Sequence, residues 1–73
     1  MRWVYVLMFD SDGSNLAPFA LTFGSKQRAQ LWADDWLERH PAAQFTREGD
    51  ALIWQSTTAH GWERLTFLCS PLL

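Results

Sequence analysis

The chain has 73 residues, 48% hydrophobic and 19% charged, with a net charge of −2 from six basic and eight acidic side chains. That length holds one small domain, residues 1–73, and excludes a multidomain enzyme or a large cofactor site enclosed on all sides. The charge balance is too even for electrostatically driven nucleic-acid binding, and the hydrophobic content excludes disorder.

A core of this size is marginal alone, because the burial it offers nearly cancels the entropy of ordering the chain. Cys69 is the single cysteine, so no internal disulfide and no multi-cysteine metal site can form. The longest apolar run, Trp3 to Phe9, is seven residues. It is too short for a membrane span and lacks a small-residue cleavage site. The expectation is a cytoplasmic protein with no membrane anchor.

The first predicted strand, Arg2–Phe9, is apolar on both sides. Asp12-Gly13 follows as a hairpin signal, since both central residues of a type I′ turn need positive φ. The second predicted strand is Leu16–Phe23, and Pro18, which has no N–H, puts it at the sheet edge. Ser25 is a good helix N-cap. Ala29, Trp32, Ala33, Trp36, Leu37 and His40 then recur at helical spacing, which predicts a helix over 26–39 that ends before Pro41. Ala43–Arg47, a Gly49-Asp50 turn, Ala51–Thr57, a turn at His60-Gly61 and Trp62–Cys69 read as a three-strand meander. The order ββαβββ predicts a two-layer α+β domain, with one helix on one face of a four- to five-stranded antiparallel sheet.

A two-residue loop at Asp12-Gly13 sets Val6 opposite Phe19 and Val4 opposite Leu21, and opposed residues share a face. The helix side then carries Val4, Val6, Met8, Phe19, Leu21, Phe45, Leu52, Trp54, Leu65, Phe67 and Cys69. Trp3, Tyr5, Leu7 and Phe9 are left on the other side. One helix cannot cover both faces, so this aromatic row needs the Pro71-Leu72-Leu73 tail, a second copy or a target to cover it.

Few residues suggest chemistry. The Asp10/Asp12/Asn15 stretch holds Asn15 and Leu21 where a calcium loop needs Gly and Glu, so it reads as a polar turn. His40, His60 and Cys69 have no metal-ligand spacing, and no metal or cofactor is expected. His40 reads as a helix C-terminal residue, His60 as a turn residue and Cys69 as a small core hydrophobe. Asp34, Asp35 and Glu38 flank Leu31 on the outer helix face, where Asp35 and Arg39 make an i, i+4 pair. That face is either plain solvated surface or a partner patch. No nucleophile–base pair or phosphate loop is visible, so an enzyme is not expected. Arg64 near a row of stacking aromatics on an open sheet gives the alternative reading, a nucleic-acid-associated regulator.

The hairpin through Asp12-Gly13, the helix opened by Ser25 with Ala29 and Trp32 inward, and the closing hairpin with Trp62 and Cys69 make a layout spanning the chain. It resembles small phage-encoded inhibitor proteins, anti-CRISPRs among them. The resemblance implies a non-enzymatic protein-binding module, an inhibitor or adaptor acting on a larger bacterial protein in the host cytoplasm. The expected binding residues are Trp3, Tyr5, Leu7 and Phe9 on the sheet, and Leu31, Asp34, Asp35 and Glu38 on the helix. The expected partner is another protein, either a target or a second copy in a homodimer.

Overall fold

Two long strands carry the fold. β1 (Arg2–Ser11) and β5 (Gly61–Leu72) pair antiparallel along all of β1, from Arg2–Leu72 to Ser11–Glu63. The computed structural model describes residues 2–12, 18–59 and 61–72. β2 (Phe19–Phe23), β3 (Gln44–Glu48) and β4 (Ala51–Thr58) complete one sheet in the order β2-β1-β5-β4-β3. Every neighbouring pair is antiparallel. With α1 (Lys26–Arg39) between β2 and β3, the chain is the ββαβββ, two-layer α+β domain that the pattern predicts.

The helix ends follow from local chemistry. Ser25 is extended, and its hydroxyl accepts the Arg28 N–H at 3.4 Å, which satisfies one free donor of the first turn. At the other end the His40 N–H donates to the Leu37 carbonyl, and Pro41 follows. The β3–β4 turn needs Gly49, whose φ is 58°.

α1 packs against β2, β1 and β5, and among the described residues its backbone does not approach β3 or β4. Ala29 and Ala33 are fully buried, and these small side chains let the helix settle onto Leu7, Leu65 and Phe67, with Trp36 beside them. Tyr5, Phe9, Phe23, Leu37, Ala43, Leu52 and Trp54 pack around this core. One row on the helix side crosses all five strands as Phe19, Phe9, Leu65, Trp54 and Phe45. Phe9 stacks on Phe19 with centroids 4.9 Å apart.

This arrangement corrects the face assignment of β1. Phe9 pairs with Phe19 and Leu7 with Leu21, a shift of three positions from the register that a two-residue turn imposes. An odd shift turns a strand over. Tyr5, Leu7 and Phe9 therefore point at the helix, and Val4, Val6 and Met8 point away. Phe19, Leu21, Leu52, Trp54, Leu65 and Phe67 lie on the helix side as the pattern predicts. Residues 13–17, which include Gly13 and Asn15, and His60 fall outside the described residues. Of the tail, Pro71 and Leu72 continue β5 opposite Trp3 and Arg2 rather than folding over the sheet, and Leu73 lies outside the described residues.

Candidate functional site

Among the described residues the sheet has one covered face and one bare face. On the bare face, the middle row runs Ala20, Met8, Thr66, Ile53 and Thr46 across the five strands. The neighbouring row sets Thr22, Val6 and Leu68 side by side. Met8 is 39% exposed, and Val6, Leu68 and Ile53 are half-buried by their neighbours alone. Thr66, at the crossing of the two central strands, is buried. The result is an aliphatic centre with a rim of Thr22, Thr46 and Gln55, the usual layout of a protein interface.

One end of this face is built around Arg64. Its Nε donates to Asp10 Oδ1 at 3.0 Å, and Nη2 donates to the other carboxylate oxygen. The guanidinium also lies 4.9 Å from the centre of the Trp62 ring. The hydrogen bond to Asp10 raises the Arg64 pKa against the opposing effect of partial burial, and the charges of Asp10 and Glu48 add to the rise, so the group stays charged. Between this cluster and β2 lies an open depression of about 310 Å³, lined by Met8, Asp10, Pro18, Ala20, Arg64 and Thr66.

A second hollow, about 170 Å³, sits at the C-terminal end of α1 between Phe9, Phe19, Trp32 and Trp36. Its polar groups hold one another. His40 stacks on Trp36 at 4.0 Å, its Nδ1 meets the Trp36 carbonyl at 2.8 Å, and its Nε2 meets Glu63 Oε2 at 2.9 Å. Both ring nitrogens are engaged, so His40 offers no free base. The Ser11 hydroxyl nearby is buried and has no hydrogen-bond partner among the described residues. Among the described residues no three His, Cys, Asp or Glu side chains converge on a metal-sized site. Among the described residues no helix is long and apolar enough to cross a membrane.

The expected site residues separate into two groups. Leu7 is fully buried, Tyr5 and Phe9 pack into the core, and Trp3, 49% exposed, lies at the end of the same face. The odd register turns Tyr5, Leu7 and Phe9 into the core beneath the helix and leaves Trp3 exposed. Leu31, Asp34, Asp35 and Glu38 do lie on the outside of α1, with Leu31 67% exposed. Asp35 pairs with Arg39 at 3.0 Å, and Asp34 accepts from Gln30 at 2.9 Å.

Val6, Met8, Ile53, Leu68, Trp62 and the Arg64–Asp10 pair were not read from the sequence as a surface. The signal was the alternation of β5, where Leu65, Phe67 and Cys69 interleave with Arg64, Thr66 and Ser70. A strand paired beside it inherits those faces. Among the described residues Trp62 is the one aromatic on the bare face. Comparison of the chain with family models, with curated proteins and with solved structures gives no match.

Proposed function

We propose that the protein is a non-enzymatic protein-binding module that holds its target against the bare sheet face. The observation that carries this reading is a five-stranded sheet covered by a helix on one side only, with Val6, Met8, Leu68 and Ile53 at the centre of the other. Trp62 and Arg64, residue types that anchor interfaces, stand at one end of that centre. The finer reading is an inhibitor or adaptor of a larger bacterial protein, of the phage-encoded kind, working in the cytoplasm. The alternative of a nucleic-acid regulator fits less well, because stacking needs aromatic faces and this surface is mainly aliphatic. Its arginine is already paired with Asp10.

The test is capture of a target by the immobilised protein from a bacterial lysate treated with nuclease. The parent retains a defined protein, while Met8→Glu and Ile53→Lys lose it and keep the parent's circular dichroism spectrum. Retention by both variants overturns the assignment of the surface, and loss of capture on nuclease treatment favours the nucleic-acid reading.

A further inference from the structure

β2 is an edge strand with the sequence Phe-Ala-Leu-Thr-Phe. It has no charge, no bulge and no internal proline, the devices that normally block edge pairing. The opposite edge, β3, carries Arg47 and Glu48. Read outward from Leu21, β2 is nearly symmetric, with Phe19 against Phe23 and Ala20 against Thr22.

The helix above it has a matching centre. Arg28, Leu31, Trp32 and Asp35 recur at i, i+3, i+4 and i+7, one ridge along the side of α1. That ridge is distinct from the core stripe Ala29, Ala33 and Trp36. Trp32 packs toward Phe23, with centroids 6.1 Å apart, and it lines a hollow together with Phe19. Trp32 therefore stands on the side of α1 toward the β2 edge, level with the middle of the strand and flanked by Arg28 and Asp35, while Leu31 lies further round on the outer surface. The apolar side chains on this flank are poorly covered: Trp32 is 53% exposed and Phe19, on β2, 49%. A cation stands at one end of the ridge and an anion at the other, equidistant from the midpoint between Leu31 and Trp32.

We propose that a second copy of the chain occupies this edge, related by a two-fold axis through Leu21 and the Leu31–Trp32 midpoint. β2 pairs antiparallel with its equivalent, Leu21 facing Leu21 and Phe19 facing Phe23, to make one continuous sheet. The two α1 helices run antiparallel on the same face, with Trp32 between them and each Arg28 against the partner copy's Asp35, which it shares with Arg39 of that copy. Strand spacing of about 4.8 Å places helices centred over β1 about 14 Å apart, wider than the usual 8–10 Å. Side chains as long as Trp32 and Arg28 fill that gap, and alanines would not. The pairing uses the edge and leaves the bare face free, so it stands independently of the target-binding proposal.

The experiment is sedimentation of the purified protein at about 100 µM, where a micromolar association is populated. The parent sediments as a dimer. Arg28→Glu and Asp35→Arg each place like charges across the axis, so each weakens dimerisation at least tenfold. An equimolar mixture of the two variants restores opposite charges at both contacts and dimerises again, as does the double variant. Circular dichroism serves as the folding control, since both positions are exposed. As a geometric check, Leu21→Cys in a Cys69→Ala background oxidises to a cross-linked dimer, because residue 21 faces itself across the axis, whereas Ala20→Cys does not. A monomeric parent, single variants that dimerise like the parent, or a mixture that stays monomeric overturns the proposal.

Discussion

Replacing Leu7 and Met8 in turn by arginine tests the handedness of β1 directly. The two positions are adjacent, yet Leu7 is fully buried beneath Ala29, Ala33 and Trp36 while Met8 is 39% exposed on the bare face. Losing the Leu7 side chain from the core costs about 2–5 kcal/mol. Burying an unpaired guanidinium in its place adds several kcal/mol more. The entire stability of a chain this size is about 4–11 kcal/mol at ~0.05–0.15 kcal/mol per residue. Leu7→Arg is therefore expected to be unfolded at 25 °C, whereas Met8→Arg loses under about 1 kcal/mol. Far-ultraviolet circular dichroism with tryptophan fluorescence across a urea titration separates the two outcomes. A Leu7→Arg protein that melts cooperatively within a few degrees of the parent would falsify the register. So would the reverse ranking, with Met8→Arg the unfolded variant.

His40→Ala removes a ring stacked on Trp36 together with its polar contacts to the Trp36 carbonyl and to Glu63 on β5; a loss of about 2 kcal/mol is expected in urea denaturation. Ser25→Ala deletes the hydroxyl that accepts from Arg28, and about 1 kcal/mol should go with it, read as a lower midpoint at unchanged slope. Gly61 has φ 128°, and a Cβ there would meet the Asp12 carboxylate, whereas a Cβ on Gly49, at φ 58°, would have nothing within 4 Å. Gly61→Ala should therefore destabilise by about 2–3 kcal/mol and Gly49→Ala by about 1 kcal/mol, and equal melting temperatures for the two would refute that comparison.

Local chemistry made most of the fold legible. Ser25, the Ala29–Ala33–Trp36 stripe and Pro41 mark α1 residue for residue, because each acts within a few positions of itself. Pro18 marks β2 as an edge for the same reason. The turns at Gly49-Asp50 and His60-Gly61 assign the inward side chains of β4 and β5 correctly: Phe45 pairs with Trp54 as that count requires, and Trp54 pairs with Leu65 rather than Phe67, an even slip that leaves the face unchanged. β1 has no such contrast: Val4, Val6 and Met8 on one side and Tyr5, Leu7 and Phe9 on the other are all apolar. Its face is set by long-range pairing with β5, Leu7 beside Phe67 and Phe9 beside Leu65. A rule for closing a short turn carries no information about that partner. The same blindness hid the bare face, because Asp10 and Arg64 are 54 positions apart in the chain and meet only across the β1–β5 ladder. The Leu31 flank was visible because helix geometry is local.

The helix covers only part of its sheet, and this divides the domain mechanically. β1, β2 and β5 are clamped under α1, while the β3–β4 hairpin projects past it, giving a molecule 43 Å long and 22 Å across. Beyond the ladder to β5, the hairpin is held by the side chains of Leu52 and Trp54, and by Phe45, 54% exposed, leaning on Trp54 at 5.3 Å. Segments with so little packing open at lower free energy than the core they adjoin. β3 amides should exchange with solvent by a local opening, while those of the β1–β5 ladder wait for global unfolding. The aliphatic centre of the bare face straddles this divide, with Ile53 on the loose side and Met8, Val6 and Leu68 on the rigid one. A partner seated across it pays an ordering cost to still the hairpin, and any ligand that had already quieted β3 and β4 would bind the more readily cooperative form.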